Sequence, residues 1–471
     1  MKMKMKTKTK NIVVWTWSLC CLFTLSCAWD SDLDLIGINY GRQGNNLPSP
    51  YQSIDRILSM NATYVKLYNS DSEVLKLLAG TGLHVAVMIS NDQISGIASN
   101  QSIADKWLRE NVLAYYPGTK IRFILVGNEV FSYDQVNMWF DLVPAMRRLK
   151  RSLIKYDIHS IKVGSPVAMD ILESTFPPSK GRFRSDIPIQ VISSFLRFLN
   201  GTKSFFFLDI YPYFSWSSDP KNMDLDFALL KVKKNSTYVD PHSGLVYTNM
   251  LDQMLDSVTF AMGKAGFDNI SIAISETGWP HSGDIDQPGA NAYNAAVYNR
   301  NLISKMTTYP PLGTPARPGV EILTFIFSLY DENQKPGPGT ERHWGLLDTN
   351  GNPFYELDLT GTSQYRHSPK PVSNEPYKGK LWCVAANNAS EVDLTPALDF
   401  ACRHVNGTCS KLAPGKPCYE PISVNAHASY AFSSYWAQYR NAGASCFFNG
   451  VATQTTVDPS HGLCQFPSVT V

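Results

Sequence analysis

Two glutamates stand directly after apolar, strand-like runs. One run reads Ile121-Arg122-Phe123-Ile124-Leu125-Val126-Gly127-Asn128-Glu129. The other reads Ile272-Ala273-Ile274-Ser275-Glu276-Thr277-Gly278-Trp279-Pro280. A carboxylate placed there costs desolvation energy unless it is paired or used. A structural salt bridge explains one such residue more readily than two. Glycoside hydrolysis needs two carboxyls flanking one bond. One is protonated and assists the leaving oxygen; the other is ionised and attacks the anomeric carbon or activates water. Glu129 and Glu276 are 147 positions apart, so only tertiary structure can join them. A retaining enzyme needs a gap of ~5 Å and an inverting one ~6.5–9.5 Å; the residues alone leave that choice open.

The elements that would position them are regular. Eight apolar, β-rich runs occur at 33–40, 62–68, 84–90, 121–130, 161–167, 205–213, 270–276 and 321–330. Most are continuously apolar, as strands covered on both faces are. Helical spacing fills the gaps. After the fourth run Val136, Trp139, Phe140, Val143, Met146, Leu149 and Leu153 repeat at three or four residues and fall on one predicted helix face. Pro144 should kink or reshape that helix. Eight βα units predict an α/β fold, a (β/α)8 TIM barrel whose reactive groups lie at the C-terminal strand ends. A doubly wound open sheet is the alternative. It is weakened by Asn39-Tyr40-Gly41-Arg42-Gln43-Gly44, which is no dinucleotide fingerprint.

Several motifs together resemble plant glycoside hydrolase family 17. They are Val126-Gly127-Asn128-Glu129, Ser275-Glu276-Thr277-Gly278-Trp279-Pro280 and Asp331-Glu332-Asn333-Gln334-Lys335, with Ile38-Asn39-Tyr40-Gly41 and Asn45-Asn46-Leu47-Pro48 near the start. The resemblance spans roughly 35–355. It implies a barrel of retaining endo-β-glucanases, with Glu129 as proton donor and Glu276 as nucleophile. It also implies that Asn128 binds the sugar hydroxyl beside the reacting carbon, and that Glu332, Lys335 and Glu341 form a charged cluster at the end of strand eight. A lysine there would favour an ionised nucleophile, and added carboxylates would raise a neighbour's pKa. Tyr40, Tyr68, Tyr211 and Phe214 end strands one, two and six, where rings could line a cleft. His281 stands where family members usually carry Ser or Thr, a departure that bears on substrate subsites.

The rest of the 471-residue chain fits export. Lys2, Lys4, Lys6, Lys8 and Lys10 precede an apolar stretch at 12–25 and the small residues Ser26-Cys27-Ala28, so residues 1–28 read as a signal peptide. No later segment is long and apolar enough to span a bilayer. The barrel is expected over 29–360 and a polar, proline-bearing linker over 361–379. A cysteine-rich domain is expected over 380–467. Its Cys383, Cys402, Cys409, Cys418, Cys446 and Cys464 imply three disulfides, with fifteen possible connectivities. A zinc site is disfavoured because no C-x-x-C pair occurs. Residues 426–439 should form a helix whose Phe432, Tyr435, Trp436 and Tyr439 are mostly core.

Trp382-Cys383-Val384-Ala385, Leu398-Asp399-Phe400-Ala401-Cys402, Pro417-Cys418-Tyr419-Glu420-Pro421 and Ala426-His427-Ala428-Ser429-Tyr430-Ala431-Phe432 resemble carbohydrate-binding module family 43. That resemblance implies β-1,3-glucan as the polysaccharide partner. A formal net charge of +2 argues against nucleic acid. No H-E-x-x-H helix, G-x-S-x-G elbow or P-loop is present, so no metal or cofactor is expected. Sequons begin at Asn61, Asn100, Asn200, Asn235, Asn269, Asn388 and Asn406, with Asn61 and Asn269 expected to be inaccessible beside buried strands. The last residues, Phe466-Pro467-Ser468-Val469-Thr470-Val471, carry no glycolipid-anchor signal. A monomeric secreted or wall-associated β-1,3-glucanase is the leading expectation. A non-hydrolytic glucan-binding wall protein would be marked by loss of either glutamate. A transglycosylase would share the first half-reaction.

Overall fold

The computed structural model describes residues 35–231, 236–404 and 407–471. The signal segment at 1–28 and the sequons at Asn235 and Asn406 lie outside the described residues. The main sheet is parallel throughout. Its strands are β1 (Ile36–Tyr40), β2 (Tyr64–Leu67), β3 (His84–Ile89), β4 (Lys120–Val126), β5 (Lys162–Gly164), β6 (Pro166–Ala168), β7 (Phe206–Asp209), β8 (Ile272–Thr277) and β9 (Thr324–Ile326). The spatial order is β5-β4-β3-β2-β1-β9-β8-β7-β6. Ser165 divides the fifth apolar run into β5 and β6, so the two ends of the sheet are halves of one strand and the sheet closes into a barrel.

The continuously apolar runs are explained by two buried faces. Tyr64, Phe123, Phe207, Ala273 and Phe325 fill the barrel interior as one cluster. Ile38, Val65, Val87, Ile124, Leu208, Ile274 and Ile326 point the other way, into the layer beneath the helices. Successive side chains of a strand alternate faces. This parity decides which polar residues can reach the interior.

The outer layer includes α1 (Pro50–Ser59), α2 (Val136–Lys155), α3 (Ile189–Thr202), α4 (Met250–Lys264) and α5 (Ala292–Thr307). Helix α1 begins in a capping box, Ser49 with Gln52, and has proline in its first turn. Helix α2 runs on through Pro144. Its buried stripe is Trp139, Leu142, Val143, Met146, Leu149 and Leu153, whereas Val136 and Phe140 face solvent. At 100° per residue, Leu142 rather than Phe140 continues the stripe set by Trp139 and Val143. The eighth unit also differs from expectation. Among the described residues β9 is followed by a 3-10 turn, Gly339–Arg342, and no α-helix lies between β9 and residue 360. Trp344, Leu346, Leu347, Tyr355 and Leu359 instead carry that stretch into the core. Asn61 and Asn269 are exposed, not shielded. Each sits in the turn before its strand, and Asn61 is left-handed (φ 58°).

The C-terminal part pairs β10 (Lys380–Ala385) antiparallel with β11 (Ala452–Thr455) and β12 (Val469–Thr470). Helix α7 (Val424–Tyr439) packs against β10, and α6 (Glu391–His404) packs on α7. Ser433 Oγ donates to Cys383 O (2.7 Å), and Ala385 N donates to Ser429 Oγ (3.0 Å), so two small serines let α7 lie close to β10. Phe432 and Trp436 are core, as their spacing suggests. The disulfides are Cys383–Cys446, Cys402–Cys409 and Cys418–Cys464. Among the described residues no helix is long and apolar enough to cross a membrane.

Candidate active site

Parity places Asn39, Lys66, Asp209 and Ser275 on the interior face. Each lies two residues beyond a filler of the barrel floor or its equivalent. By the same rule Glu276 would point outward with Ile274. A β-bulge prevents this: the pairing of β8 with β7 shifts between Ile274, opposite Leu208, and Glu276, opposite Asp209. The extra residue re-aims the next side chain, and Glu276 enters the cleft directly after Ser275. Glu129 reaches the same cleft by another device. Gly127 (φ 70°) and Glu129 (φ 48°) are both left-handed. A Cβ on Gly127 would meet Val130, Asn91 and Ile94 side chains at 2.6–2.7 Å. The turn therefore requires glycine, and Glu129 itself is held strained, its N–H donating to Pro166 O at 3.1 Å.

The cleft has a volume of about 690 Å³ and is lined by both glutamates together with Gln43, Tyr68, Asn128, Asp209, Tyr211, Phe214, Phe327, Lys335, Glu341 and Trp344. Glu276 is buried and fully coordinated. Lys66 Nζ lies 2.6 Å from its Oε1, Tyr68 Oη donates to Oε1 at 2.6 Å, and Tyr211 Oη donates to Oε2 at 2.7 Å. Burial alone would raise its pKa. The Lys66 charge, the hydrogen bonds from Lys66 and Tyr68, and the Lys335 charge outweigh burial and hold it below the ordinary carboxylate value. Glu129 lacks such donors. Burial, then the charge of Glu276, push it up to about 7 against the opposing pull of Lys66. Burial and the Glu276 charge hold the Tyr68 and Tyr211 hydroxyls well above their usual values, so both remain neutral donors. Two carboxyls in one cleft thus differ in protonation because their environments differ.

The remaining sequence candidates divide. Tyr68, Asn128, Tyr211, Phe214, Lys335 and Glu341 line the cleft. The Asn128 backbone is pinned by Asn91, and the Asn128 Oδ1 is buried with no hydrogen-bond partner among the described residues. Phe214 packs edge-on to Tyr211 and Trp344. Lys335 sits over the Phe327 ring at 4.2 Å. Burial raises Glu341, with Lys335 opposing. Tyr40 is not a cleft residue. It is outward by parity, buried in the layer under the helices, and its neighbour Asn39 takes the interior position. Glu332 is set behind the cleft, where its Oε1 accepts the Gln43 N–H at 2.6 Å. It anchors the first βα loop to the eighth. His281 is also outside the cleft, 3.0 Å from the Asp331 carboxylate and stacked on Phe354.

Two interior residues were missed. Lys66 interrupts the apolar run Tyr64-Val65-Lys66-Leu67 and is wholly buried. A buried ammonium demands an anion, so its place in the run was itself a signal. Asp209 ends Phe206-Phe207-Leu208-Asp209. Its Oδ1 accepts from Ser275 Oγ, and its Oδ2 is buried with no hydrogen-bond partner among the described residues. Burial, then the charge of Glu276, push its carboxyl well above the usual range. Trp279 of the Ser275-Glu276-Thr277-Gly278-Trp279-Pro280 motif is structural. It is buried among Tyr213, Trp216 and Tyr298, and its Nε1 donates to Gly289 O at 2.8 Å.

A closed parallel barrel with two inequivalent carboxyls in a cleft at its C-terminal rim has the architecture of a glycosidase. Known proteins agree. The family model "Glycosyl hydrolases family 17" matches residues 36–359, and the X8 domain, the carbohydrate-binding module family 43 of the sequence resemblance, matches 381–453. The chain belongs to glycosyl hydrolases family 17. It is 57% identical over 439 residues to a probable glucan endo-1,3-beta-glucosidase (A6) of Arabidopsis thaliana, covering 93% of this chain and 91% of the relative. It is 34% identical over 434 residues to the glucan endo-1,3-beta-D-glucosidase of Olea europaea, covering 92% and 93%. Among solved structures, CJP38, a beta-1,3-glucanase and allergen of Cryptomeria japonica pollen, aligns with a TM-score of 0.65 at 36% identity. That alignment covers 69% of this chain and 99% of CJP38.

Proposed function

We propose that the chain cleaves internal β-1,3 bonds of glucan with retention, through a glycosyl-enzyme on Glu276. The observation that carries the division of roles is the unequal treatment of the two carboxyls; retention is taken from the family to which the chain belongs. Glu276 is kept ionised by Lys66, Tyr68 and Tyr211, while Glu129 is kept protonated up to about pH 7. In the first step Glu129 protonates the leaving oxygen as a Glu276 oxygen bonds to the anomeric carbon. In the second step Glu129, now ionised, takes a proton from water, which attacks the same carbon and frees Glu276. Asn128, with a buried oxygen that has no hydrogen-bond partner among the described residues, would hold a sugar hydroxyl. Phe214, Trp344 and Tyr211 offer ring faces and edges to pyranose C–H surfaces. The substrate class follows from the relatives, whose names specify 1,3-β-glucan.

Export is part of the proposal. All six C-terminal cysteines are paired, which fits an oxidising compartment and a site of action on extracellular or wall glucan. The test is product analysis on linear β-1,3-glucan beside mixed β-1,3/1,4-glucan, with Glu276→Ala as control. We expect oligosaccharides from the linear glucan and none from the variant. Turnover by Glu276→Ala would overturn the assignment.

A further inference from the structure

The C-terminal module is fastened to the rim that carries the active site. The loop after β8 meets β11: Ile285 N donates to Gln454 Oε1 at 3.0 Å, and Gln454 Nε2 donates to Asp286 Oδ1 at 3.0 Å. Arg440, just past α7, pairs with the same Asp286. From the turn after β9, the Arg342 guanidinium lies 3.7 Å over the Phe447 ring. The connecting segment is tied down as well. Asn374 Oδ1 accepts from Asn291 (2.9 Å) and Asn294 (2.7 Å), and Arg300 holds His367 O and Ser368 Oγ. The placement therefore rests on both partners' side chains.

A groove of about 740 Å³ runs along this junction. Its barrel wall is Asn45, Pro336 and Gly337; its module wall includes Phe400, Tyr435, Phe447 and Phe448. The barrel wall and the catalytic cleft are built from the same two loops: Gln43 and Lys335 line the cleft, and Asn45 and Pro336 line the groove. Asn333 links the two loops by accepting the Asn45 N–H at 3.1 Å and donating to Asn45 Oδ1 at 2.7 Å. Phe400 is 44% exposed and braced by Tyr435 and Phe448. Among the described residues of the lining, Asp393 is the charged one and none is Lys, Arg or His. Exposed rings with amides and one carboxylate suit a neutral polyhydroxyl chain, not a polyanion.

We propose that the groove is an extension of the catalytic cleft, and that a single β-glucan chain occupies both, with the Asp286 clamp setting their alignment. This rests on the glucan reading above. Holding the second surface in register makes its binding intramolecular, which raises the effect on long chains without touching the reaction centre. The test compares kcat/KM on laminari-oligosaccharides of increasing length for the wild type, Phe400→Ala, Asp286→Arg, and Asp286→Arg with Arg440→Asp. Short substrates that fill only the cleft should be cleaved at the wild-type rate by all four. On long chains Phe400→Ala and Asp286→Arg should lose about tenfold or more, and the double variant should recover part of the loss. An unchanged long-to-short ratio in both single variants would overturn the composite groove while leaving the hydrolase reading intact. Absence of β-1,3-glucan hydrolysis by the wild type would overturn the reading on which it rests.

Discussion

Lys66→Met removes the ammonium that contacts Glu276 while keeping side-chain length. The wild-type contact is 2.6 Å between heavy atoms, with both groups buried. Two unit charges with centres about 4 Å apart interact by about 4 kcal/mol at an effective dielectric of ~20. At about 1.36 kcal/mol per decade, that is up to roughly three decades in the protonation equilibrium. Tyr68 and Tyr211 remain as neutral donors, and the weaker influence of the Lys335 charge offsets only part of the loss. The sign follows from the wild-type state. Glu276 is held below its ordinary value, so its ionised form contributes stability above the unfolded pKa, lost as pH falls through the folded one. In Lys66→Met most of that contribution is lost, and the ionised nucleophile becomes scarce. We expect kcat/KM on linear β-1,3-glucan to fall by about 10- to 1000-fold near pH 6, with the acid limb moved to higher pH. The Tm deficit relative to wild type should widen from pH 4 to pH 6. Lys66→Arg, which keeps the charge, should retain more activity than Lys66→Met. An acid limb that stays in place with full activity would refute the electrostatic argument.

Three further outcomes follow from the site and its frame. Because Glu129 titrates at about 7 and must be protonated to act as the acid, kcat/KM should decline as pH rises through about 7; a flat profile to pH 9 would exclude Glu129 as the acid. Burial and the charge of Glu276 push the Asp209 carboxyl well above its usual range, which favours its neutral form, so Asp209→Asn should stay within a few-fold of wild-type kcat, whereas a collapse of kcat in a folded variant would show that its ionised form takes part. Trp279→Ala should destabilise the barrel by about 3–5 kcal/mol in denaturant unfolding, since the ring is buried against three aromatic neighbours; a loss below about 1 kcal/mol would contradict its structural role.

How much the sequence disclosed depended on whether a residue's signal was local. The apolar runs marked the strands because burial on both faces leaves a continuous pattern, and each run contains a strand of the barrel. Glu129 and Glu276 were visible because each follows such a run. What brings Glu276 inward was not, since a bulge is a register slip between two chains and leaves no mark in one. The same parity misplaced Tyr40, one residue from the inward Asn39. Lys66 and Asp209 were hidden for the opposite reason. Each sits within an apolar run that reads as a strand with or without it, and its partner is distant in sequence. The eighth βα unit followed the rhythm of the others in expectation. In the fold its helix is replaced by a turn carrying Glu341 and Arg342, one facing the cleft and the other the module.

The central claim is that Glu276 attacks carbon while Glu129 serves first as acid and then as base. Proton NMR of product released in the first moments of hydrolysis of linear β-1,3-glucan tests it most directly. Double displacement predicts that the β-anomer appears first and the α-anomer grows in only by mutarotation. An α-anomer released first would mean inversion, and Glu276 would then be a base acting on water and not the nucleophile.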